Sequence, residues 1–278
     1  MADIFFKTNE DFNQIIKNTL KKDIKDIKQI TTGWTNIVFE VKKDDGSYFF
    51  RFPRDEFWSR TIVKDCEFAN YIYNKTDFNT SNLQLKFDNE RPFSVHKKIE
   101  GTPLAEKMDF LTEEEVANVS KDIAKFMYEL HSVNFNEKEV FKTNNIALNL
   151  QEFLDELLNL HVSKEDREFW KLEKINDKCQ NLVHGDLNSS NVLLDENNKV
   201  TAIIDFGFGG FGDKYDDLSR IIGRCPSKFK DEIIKSYEEY SNSQVDMEML
   251  GNKIEKWDNI DKGYINYMKK NCGEHITC

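Results

Sequence analysis

The sequence lacks the features that would place it in a membrane or in an oxidising compartment. No stretch approaches the roughly 18 consecutive apolar residues of a membrane span, and the N-terminal segment has no apolar run typical of a signal peptide. The five cysteines are odd in number and include no Cys-x-x-Cys pair, which argues against a zinc site and a disulfide framework. These absences predict a soluble protein of the cytoplasm.

The sequence also has fewer basic than acidic residues. The 50 acidic residues outnumber the 39 basic residues, and the formal net charge is −11. A nucleic-acid-binding protein needs a basic face that displaces counterions from phosphates, so this charge argues against a nucleic-acid partner. It suits solubility, and it also suits a cationic small-molecule ligand. The 22 phenylalanines supply core volume that the 12 glycines cannot.

The spacing of apolar residues changes near residue 100. Before that point, helical spacing over 10–22 and 60–74 accompanies several strand-like segments, namely Ile27–Thr32, Asn36–Lys42, Ser47–Phe52, 83–87 and 93–99. Later segments are mainly helical, with helices over 112–131, 149–161 and beyond 216 and short strands near 181–183, 192–194 and 200–204. Runs of strands followed by runs of helices favour an α+β fold. We predict two lobes, over residues 1–100 and 101–278.

The most informative segment is His184-Gly-Asp-Leu-Asn-Ser-Ser-Asn191, followed by Asp205-Phe-Gly. Phosphoryl transfer needs a carboxylate that orients and deprotonates the attacking hydroxyl, and oxygen ligands that keep Mg²⁺ on the nucleotide phosphates. Asp186 and Asn191 share a short loop between strand-like segments, and Asp205 ends the next apolar strand. A hairpin would bring that strand beside the loop, so we expect the three side chains to face one cleft.

These two motifs resemble the catalytic and metal-binding loops of the protein-kinase-like superfamily. The whole stretch from 184 to 207 looks like the aminoglycoside phosphotransferase family and its choline-kinase relatives. The resemblance implies a two-lobed fold with a small antiparallel-sheet lobe that binds nucleotide and a larger, mainly helical lobe that binds the acceptor. It also implies that Asp186 is the catalytic base, that Asn191 and Asp205 hold Mg²⁺, and that ATP or GTP is the phosphate donor.

The resemblance also implies how the catalytic loop is supported. His184 would brace the loop, and Asp217, in the stretch after Asp-Phe-Gly, would hold it in place. Gly185 stands where a protein kinase usually has Arg, which disfavours a protein kinase activated by phosphorylation. His131 ends a long helix and is interpreted as a packing or capping residue.

By the same resemblance, residues before 100 would bind the nucleotide. Arg51 takes the position of the usual strand Lys, and Glu67 on the following helix is its expected partner; a surface salt bridge is the alternative. The segment Ile30–Asn36 could cover phosphates with backbone N–H groups, or it is an ordinary hairpin turn. Residues 95–101 fit the hinge that holds a purine, so Lys97 and Ile99 are expected nucleotide contacts.

One glycine-rich stretch mimics another nucleotide motif. Gly207-Phe-Gly-Gly-Phe-Gly212 has the spacing G-x-G-x-x-G. A dinucleotide fold needs that motif in an early βαβ unit, whereas here it follows the catalytic segment. Asp213 rather than Lys follows Gly212, so no Walker A motif is present either. We therefore expect no dinucleotide-binding role.

The acceptor predicted from the sequence is a small cationic molecule, most of all an aminoglycoside, bound by a monomer. Clustered carboxylates attract ammonium groups, and acidic residues in the helical part include Asp213, Asp216, Asp231, Glu232, Glu238, Glu239, Glu255, Asp258 and Glu274. Three alternatives stay open. They are a choline or ethanolamine kinase with an aromatic cage, a macrolide or other metabolite kinase, and a pseudokinase that only binds.

Overall fold

The structure is a computed structural model and describes residues 9–272 except 22, 32–34, 74, 135–149 and 162–180. An antiparallel sheet dominates the first part and helices dominate the second, which confirms the predicted α+β class. In chain order the elements are α1 (Asn9–Leu20), β1 (Asp26–Ile30), β2 (Asn36–Lys43), β3 (Gly46–Pro53), α2 (Glu56–Ile72), β4 (Gln84–Asp88), β5 (Arg91–Lys97), β6 (Thr102–Pro103), α3 (Leu104–Lys107), α4 (Glu113–His131), α5 (Leu150–His161), β7 (Asn181–Val183), β8 (Val192–Leu194), β9 (Val200–Ile203), β10 (Gly210–Gly212), α6 (Lys214–Gly223), α7 (Ser227–Ser241) and α8 (Met247–Cys272).

The N-terminal sheet has the strand order β1-β2-β3-β5-β4, and all its pairs are antiparallel. Side chains alternate between the two faces of a strand. On β3 this alternation places Phe50 and Phe52 in a phenylalanine-rich core under α1, together with Phe12 and Phe93. Arg51, between them in sequence, therefore lies on the opposite face, toward the helical part of the chain.

Helix α2 joins the sheet to the helical part. It begins at Glu56, earlier than predicted, because Asp55 caps it by accepting a 2.9 Å hydrogen bond from the backbone N–H of Trp58. Its first turns pack Trp58 against α5 and α8, and its last turns pack Phe68 into the largest apolar core. The sheet, α5 and the catalytic segment are thus held by one helix.

The helical part follows its sequence signals closely. The helix predicted over 112–131 is confirmed as α4, and it begins with a capping box in which Thr112 and Glu115 exchange reciprocal hydrogen bonds. Helix α4 packs on α7, and α6 packs on α8. The sequence analysis missed β10, in which Gly210–Gly212 pairs antiparallel with β7. The second half of the glycine-rich stretch is therefore a strand, and Gly207 and Phe208 form a turn before it.

The predicted lobe boundary near residue 100 stays a prediction. Strand β5 ends at Lys97, and β6 begins at Thr102 in a different sheet, where it pairs with β8. Cys66 and Cys225 are free thiols. Among the described residues, no helix combines the length and apolar character that crossing a membrane demands.

Lys64 on α2 is an ionisable residue that is buried in the protein interior. Its side chain is fully buried, its Nζ has no hydrogen-bond partner among the described residues, and it lies 4.0 Å from the centroid of the Phe153 ring on α5. Burial disfavours the charged ammonium and lowers the pKa of Lys64 from 10.5 to about 7, although Asp65 opposes the change. Folding therefore disfavours the protonated form of Lys64 at neutral pH.

We expect Lys64→Met to stabilise the protein at pH 7 and to change its pH dependence. With a lowered folded-state pKa, the unfolded chain binds more protons between about pH 7 and 10, so wild-type stability rises with pH across that window. The advantage of the Met variant should shrink by about 2 kcal/mol between pH 7 and 9. Urea unfolding at several pH values measures this difference. Lys121→Met, at an exposed position on α4, should show no such trend, and a parallel trend in both variants would contradict the assignment.

Candidate active site

A cavity of about 520 Å³ lies between the sheet and the helical part. Asp186, Asn191, Asp205 and Arg51 all line it, so the structure brings these four predicted residues together. Its wall also includes residues of β2, α2, α5, α6 and α8. Glu67, Lys97 and Ile99 are not among the described residues that line it.

Asp217 holds the loop between β7 and β8 in place, as predicted. Its carboxylate is fully buried and accepts 2.8 Å hydrogen bonds from the backbone N–H groups of both His184 and Gly185. It also lies 3.2 Å from Nε2 of His131, whose Nδ1 is 2.9 Å from the hydroxyl of Tyr237. A buried carboxylate is stable only with such donors, so the loop backbone and Asp217 stabilise each other.

The backbone conformation at position 185 requires glycine. Its φ is +76°, in the left-handed region, and an added Cβ would collide with the carbonyl of Phe208. The arginine that protein kinases place here would therefore not fit this loop. The absence of a side chain lets the catalytic loop approach the segment after Asp205 closely.

His184 links the catalytic loop to the strand that precedes Asp205. Its Nε2 lies 3.0 Å from the carbonyl of Ile204, which can only accept, so Nε2 carries the proton. Its Nδ1 accepts a 3.3 Å hydrogen bond from the backbone N–H of Asp186. The imidazole is fully buried and packs on Phe206 at 4.4 Å between ring centroids. The expected bracing role of His184 is confirmed.

Arg220 on α6 is the main partner of the predicted base. Its Nε and Nη2 each lie 2.8 Å from Oδ1 of Asp186, and its Nη1 lies 2.5 Å from Asp261 on α8. Among the described residues, Oδ2 of Asp186 has no hydrogen-bond partner. The guanidinium lies 4.6 Å from the centroid of the Trp257 ring. One carboxylate oxygen is thus fixed, and the other has no donor among the residues that the structure describes.

Sequence reasoning missed Arg220, although one signal was available. It lies three residues after Asp217 on a helix, and residues three apart share a helix face. A residue one turn from the carboxylate that holds the catalytic loop is therefore placed to reach the loop itself.

The structure corrects the predicted partner of Arg51. Its guanidinium pairs with Asp65 on α2 and, at 3.1 Å, with Asp205, rather than with Glu67. Glu67 is two residues further along α2, about 200° around the helix, and is partly exposed, whereas Asp65 is buried against β3. Burial alone would lower the pKa of Arg51, but Asp65 and Asp205 outweigh it and raise the pKa.

Asp205 has a strained backbone in an exposed setting. Its φ is +67°, unusual for a residue with a Cβ, and its side chain is 50% exposed. Asp65 also accepts a 3.0 Å hydrogen bond from the backbone N–H of Phe206. Strain of this kind persists only where the surroundings hold it, and here Arg51 and Asp65 hold the segment on both sides.

The oxygen donors at the cavity suit Mg²⁺ that is shared with a nucleotide. Asn191 is buried, and its Nδ2 donates a 2.9 Å hydrogen bond to the backbone carbonyl of Asp186, which orients its amide. Among the described residues, no three His, Cys, Asp or Glu side chains cluster as a metal site. One carboxylate and one amide therefore leave most ligand positions to phosphate and water, as Mg²⁺ prefers.

The remaining predictions of nucleotide-binding residues concern the expected phosphate loop, Lys97 and Ile99. Gly33 and Trp34 of the expected phosphate loop lie outside the described residues, but the adjoining Thr35 and Asn36 line the cavity. Lys97 ends β5 opposite Tyr48, and Ile99 follows in the segment before β6. Their roles as nucleotide contacts stay predictions.

A sequence model described as the phosphotransferase enzyme family matches residues 26–248. Among similar solved structures is the GDP complex of wild-type aminoglycoside 2′-phosphotransferase-IIIa, with 17% identity, coverage of 97% of this chain and 94% of that chain, and a TM-score of 0.72. The streptomycin–ATP ternary complex of APH(2″)-IIa has 18% identity, coverage of 96% and 95%, and a TM-score of 0.67. Macrolide 2′-phosphotransferase MphH from Brachybacterium faecium has 16% identity, coverage of 95% and 94%, and a TM-score of 0.63. At these identities the likeness concerns the fold, and it confirms the fold predicted from the motifs.

Gly185→Ala should destabilise the protein and disable the site. The left-handed backbone costs a residue with a Cβ about 1–2 kcal/mol, and the collision with Phe208 adds to it, so we expect a lower melting temperature and at least a tenfold loss of activity. Gly251→Ala is the matched control, because nothing lies within 4 Å of its added Cβ on α8. That change should instead stabilise by about 0.5–1 kcal/mol. Equal effects of the two substitutions on melting would contradict the role of Gly185.

Proposed function

The chain belongs to the phosphotransferase enzyme family, and from this premise we propose that it transfers the γ-phosphoryl group of ATP or GTP to a hydroxyl of a small molecule. The observation that carries the proposal is the convergence of Asp186, Asn191, Asp205 and Arg51 on one cavity. Phosphoryl transfer depends on positioning and on charge stabilisation more than on covalent chemistry. The loop held by Asp217 and His184 positions Asp186, and the Asp205 carboxylate, held by Arg51, would bind the Mg²⁺ that stabilises charge.

Asp186 is the catalytic base in this proposal. Its Oδ2 accepts a hydrogen bond from the acceptor hydroxyl and takes the proton as that oxygen bonds to the γ-phosphorus. The bond between the γ-phosphorus and the bridging oxygen breaks, and the nucleoside diphosphate leaves. Arg220 fixes Oδ1, so it orients the carboxylate and does not contact the reacting atoms.

Asn191 and Asp205 would hold Mg²⁺, which when bound offsets the negative charge of the nucleotide phosphates. Arg51 fits the position of the usual strand Lys, but its guanidinium is shared by Asp65 and Asp205. We therefore assign Arg51 mainly to positioning the Asp205 carboxylate. Its fixed charge also lowers the cost of bringing phosphates near two acidic side chains.

The acceptor is best described as a small, antibiotic-like hydroxyl compound. The names of similar structures state aminoglycoside and macrolide phosphotransferases, which supports both classes alike. The aminoglycoside predicted from the sequence stays a prediction, and with it a role in antibiotic resistance. Complexes with GDP and ATP among those structures support a purine nucleotide as donor.

Asp186→Asn should lower acceptor-dependent turnover by about 10²–10⁴-fold, because the amide cannot take the proton. Nucleotide binding should survive, since Asn keeps the size of the side chain. Release of nucleoside diphosphate and calorimetric nucleotide binding measure the two effects separately. Asp231→Asn, at an exposed position on α7, serves as the control. Near-normal turnover by the Asp186 variant would refute the mechanism.

Asp205→Asn should weaken nucleotide binding specifically in the presence of Mg²⁺. Loss of the only carboxylate in the proposed metal pair removes a charged ligand, so the Mg²⁺ concentration needed for half-maximal nucleotide binding should rise at least tenfold. Binding measured with EDTA should change far less. If Mg²⁺ dependence is unchanged, Asp205 does not hold the metal.

A further inference from the structure

The contact between Asp186 and Arg220 uses only one oxygen of the carboxylate. Arginine–carboxylate pairs are frequently bidentate, with two parallel N–H···O bonds, one to each oxygen. Here Nε and Nη2, which form one edge of the Arg220 guanidinium, both lie 2.8 Å from the same atom, Oδ1 of Asp186. The guanidinium is therefore placed so that this edge takes one oxygen of the proposed base and not two.

Helix α8 holds the third nitrogen of the same guanidinium. Asp261 lies 2.5 Å from Nη1 of Arg220, and the ring centroid of Trp257 lies 4.6 Å from the guanidinium carbon. Asp261 follows Trp257 by four residues, and residues four apart share a helix face. One face of α8 therefore contacts Arg220 twice, through a carboxylate and through an aromatic ring.

Asp261 is itself held in place. Its side chain is only 19% exposed, and Arg224 at the end of α6 also pairs with its Oδ2. The backbone carbonyl of Arg224 accepts a 3.3 Å hydrogen bond from the hydroxyl of Ser189 on the catalytic loop. Carboxylates and guanidiniums thus alternate along one chain of contacts, from Asp186 through Arg220 and Asp261 to Arg224, and all four side chains line the cavity.

The position of Arg220 decides which oxygen of Asp186 is left for an acceptor. In the structure that oxygen is Oδ2, which has no donor among the described residues. Without its contact to Asp261, the guanidinium could turn until Nε and Nη2 each reach one oxygen, which is the arrangement that its planar fork favours. A guanidinium N–H would then occupy Oδ2, and an acceptor hydroxyl would have to compete with it.

We propose that Asp261 is a positioning residue that holds Nη1 of Arg220, so that the guanidinium binds Oδ1 of Asp186 alone and leaves Oδ2 for the acceptor hydroxyl. Asp261 acts through Arg220 and does not contact the reacting atoms. The kinetic consequence rests on the proposed function. The geometry of the ion pairs does not, and it can be measured without turnover.

Crystal structures of full-length wild type, Asp261→Ala and Asp261→Asn test the geometry. In both variants Arg220 should contact both oxygens of Asp186, with Nε or Nη2 within about 3 Å of Oδ2. Asp261→Asn preserves the shape of the side chain, and its neutral oxygen holds Nη1 less strongly than a carboxylate does. Contacts to Oδ1 alone in either variant would overturn the inference.

Release of the γ-phosphate to water tests the kinetic consequence without a known acceptor. It is measured with Mg²⁺ and saturating ATP, and again with GTP, while calorimetry gives the nucleotide affinity. General base catalysis contributes about 10²–10⁴-fold, so partial loss of Oδ2 in Asp261→Ala should lower kcat by about tenfold and leave nucleotide affinity within about twofold of wild type. An unchanged kcat would overturn the inference.

Asp258→Ala is the matched control, because Asp258 is exposed on the same helix and lies outside the described lining of the cavity. Its kcat and nucleotide affinity should equal those of wild type. If wild-type protein binds nucleotide but releases no phosphate to water or to any acceptor, the proposed function fails. The crystal structures would still decide whether Asp261 positions Arg220.

Arg220→Lys separates positioning from general packing. Lysine keeps the positive charge but has no planar fork, so in this background Asp261 has no fork to restrain. Adding Asp261→Ala to Arg220→Lys should therefore change kcat by less than about twofold, whereas independent effects would multiply. A further tenfold loss in the double variant, or a fall in nucleotide affinity that matches the fall in kcat, would assign Asp261 to packing alone.

Discussion

The site depends on the buried carboxylate of Asp217. It accepts hydrogen bonds from the backbone N–H groups of His184 and Gly185, and a charge buried without such donors would be strongly unfavourable. Arg220 follows one turn later on the same helix and binds Asp186. One short helix therefore fixes both the backbone of the catalytic loop and the side chain at its centre, and a small shift of α6 would move both together.

The sequence predicted what is encoded locally. The strands Asn36–Lys42 and Ser47–Phe52, the helix over 112–131 and the loop carrying Asp186 depend on neighbours in the chain, so their sequence patterns were enough to predict them. The partner of Arg51 was wrong because choosing between Asp65 and Glu67 requires the rotation of α2 about its axis, which is set by packing against α5 and the large core. The contacts of Arg220, Trp257 and Asp261 likewise arise from helices that are distant in sequence and meet only after folding.

The net charge of −11 does not by itself describe the cavity. Asp213 serves in a helix cap and Asp216 in an ion pair with Lys253, and exposed charges are largely screened beyond about 10 Å at 0.1 M salt. Binding is decided by the few side chains in contact with the ligand. Where α2, α5 and α8 line the cavity, the side chains are chiefly leucine, isoleucine and tryptophan, and Asp261 there is paired with Arg220 and Arg224.

The separate phenylalanine core of the sheet bears on the order of folding during synthesis. Its buried members, from Phe12 to Val95, all lie in the first hundred residues, so the ribosome delivers a complete set of partners before it makes the catalytic loop. That loop in turn emerges before Asp217, which fixes it. At about 5–20 residues per second, the sheet can pack on the order of ten seconds before the active site has the carboxylate that shapes it.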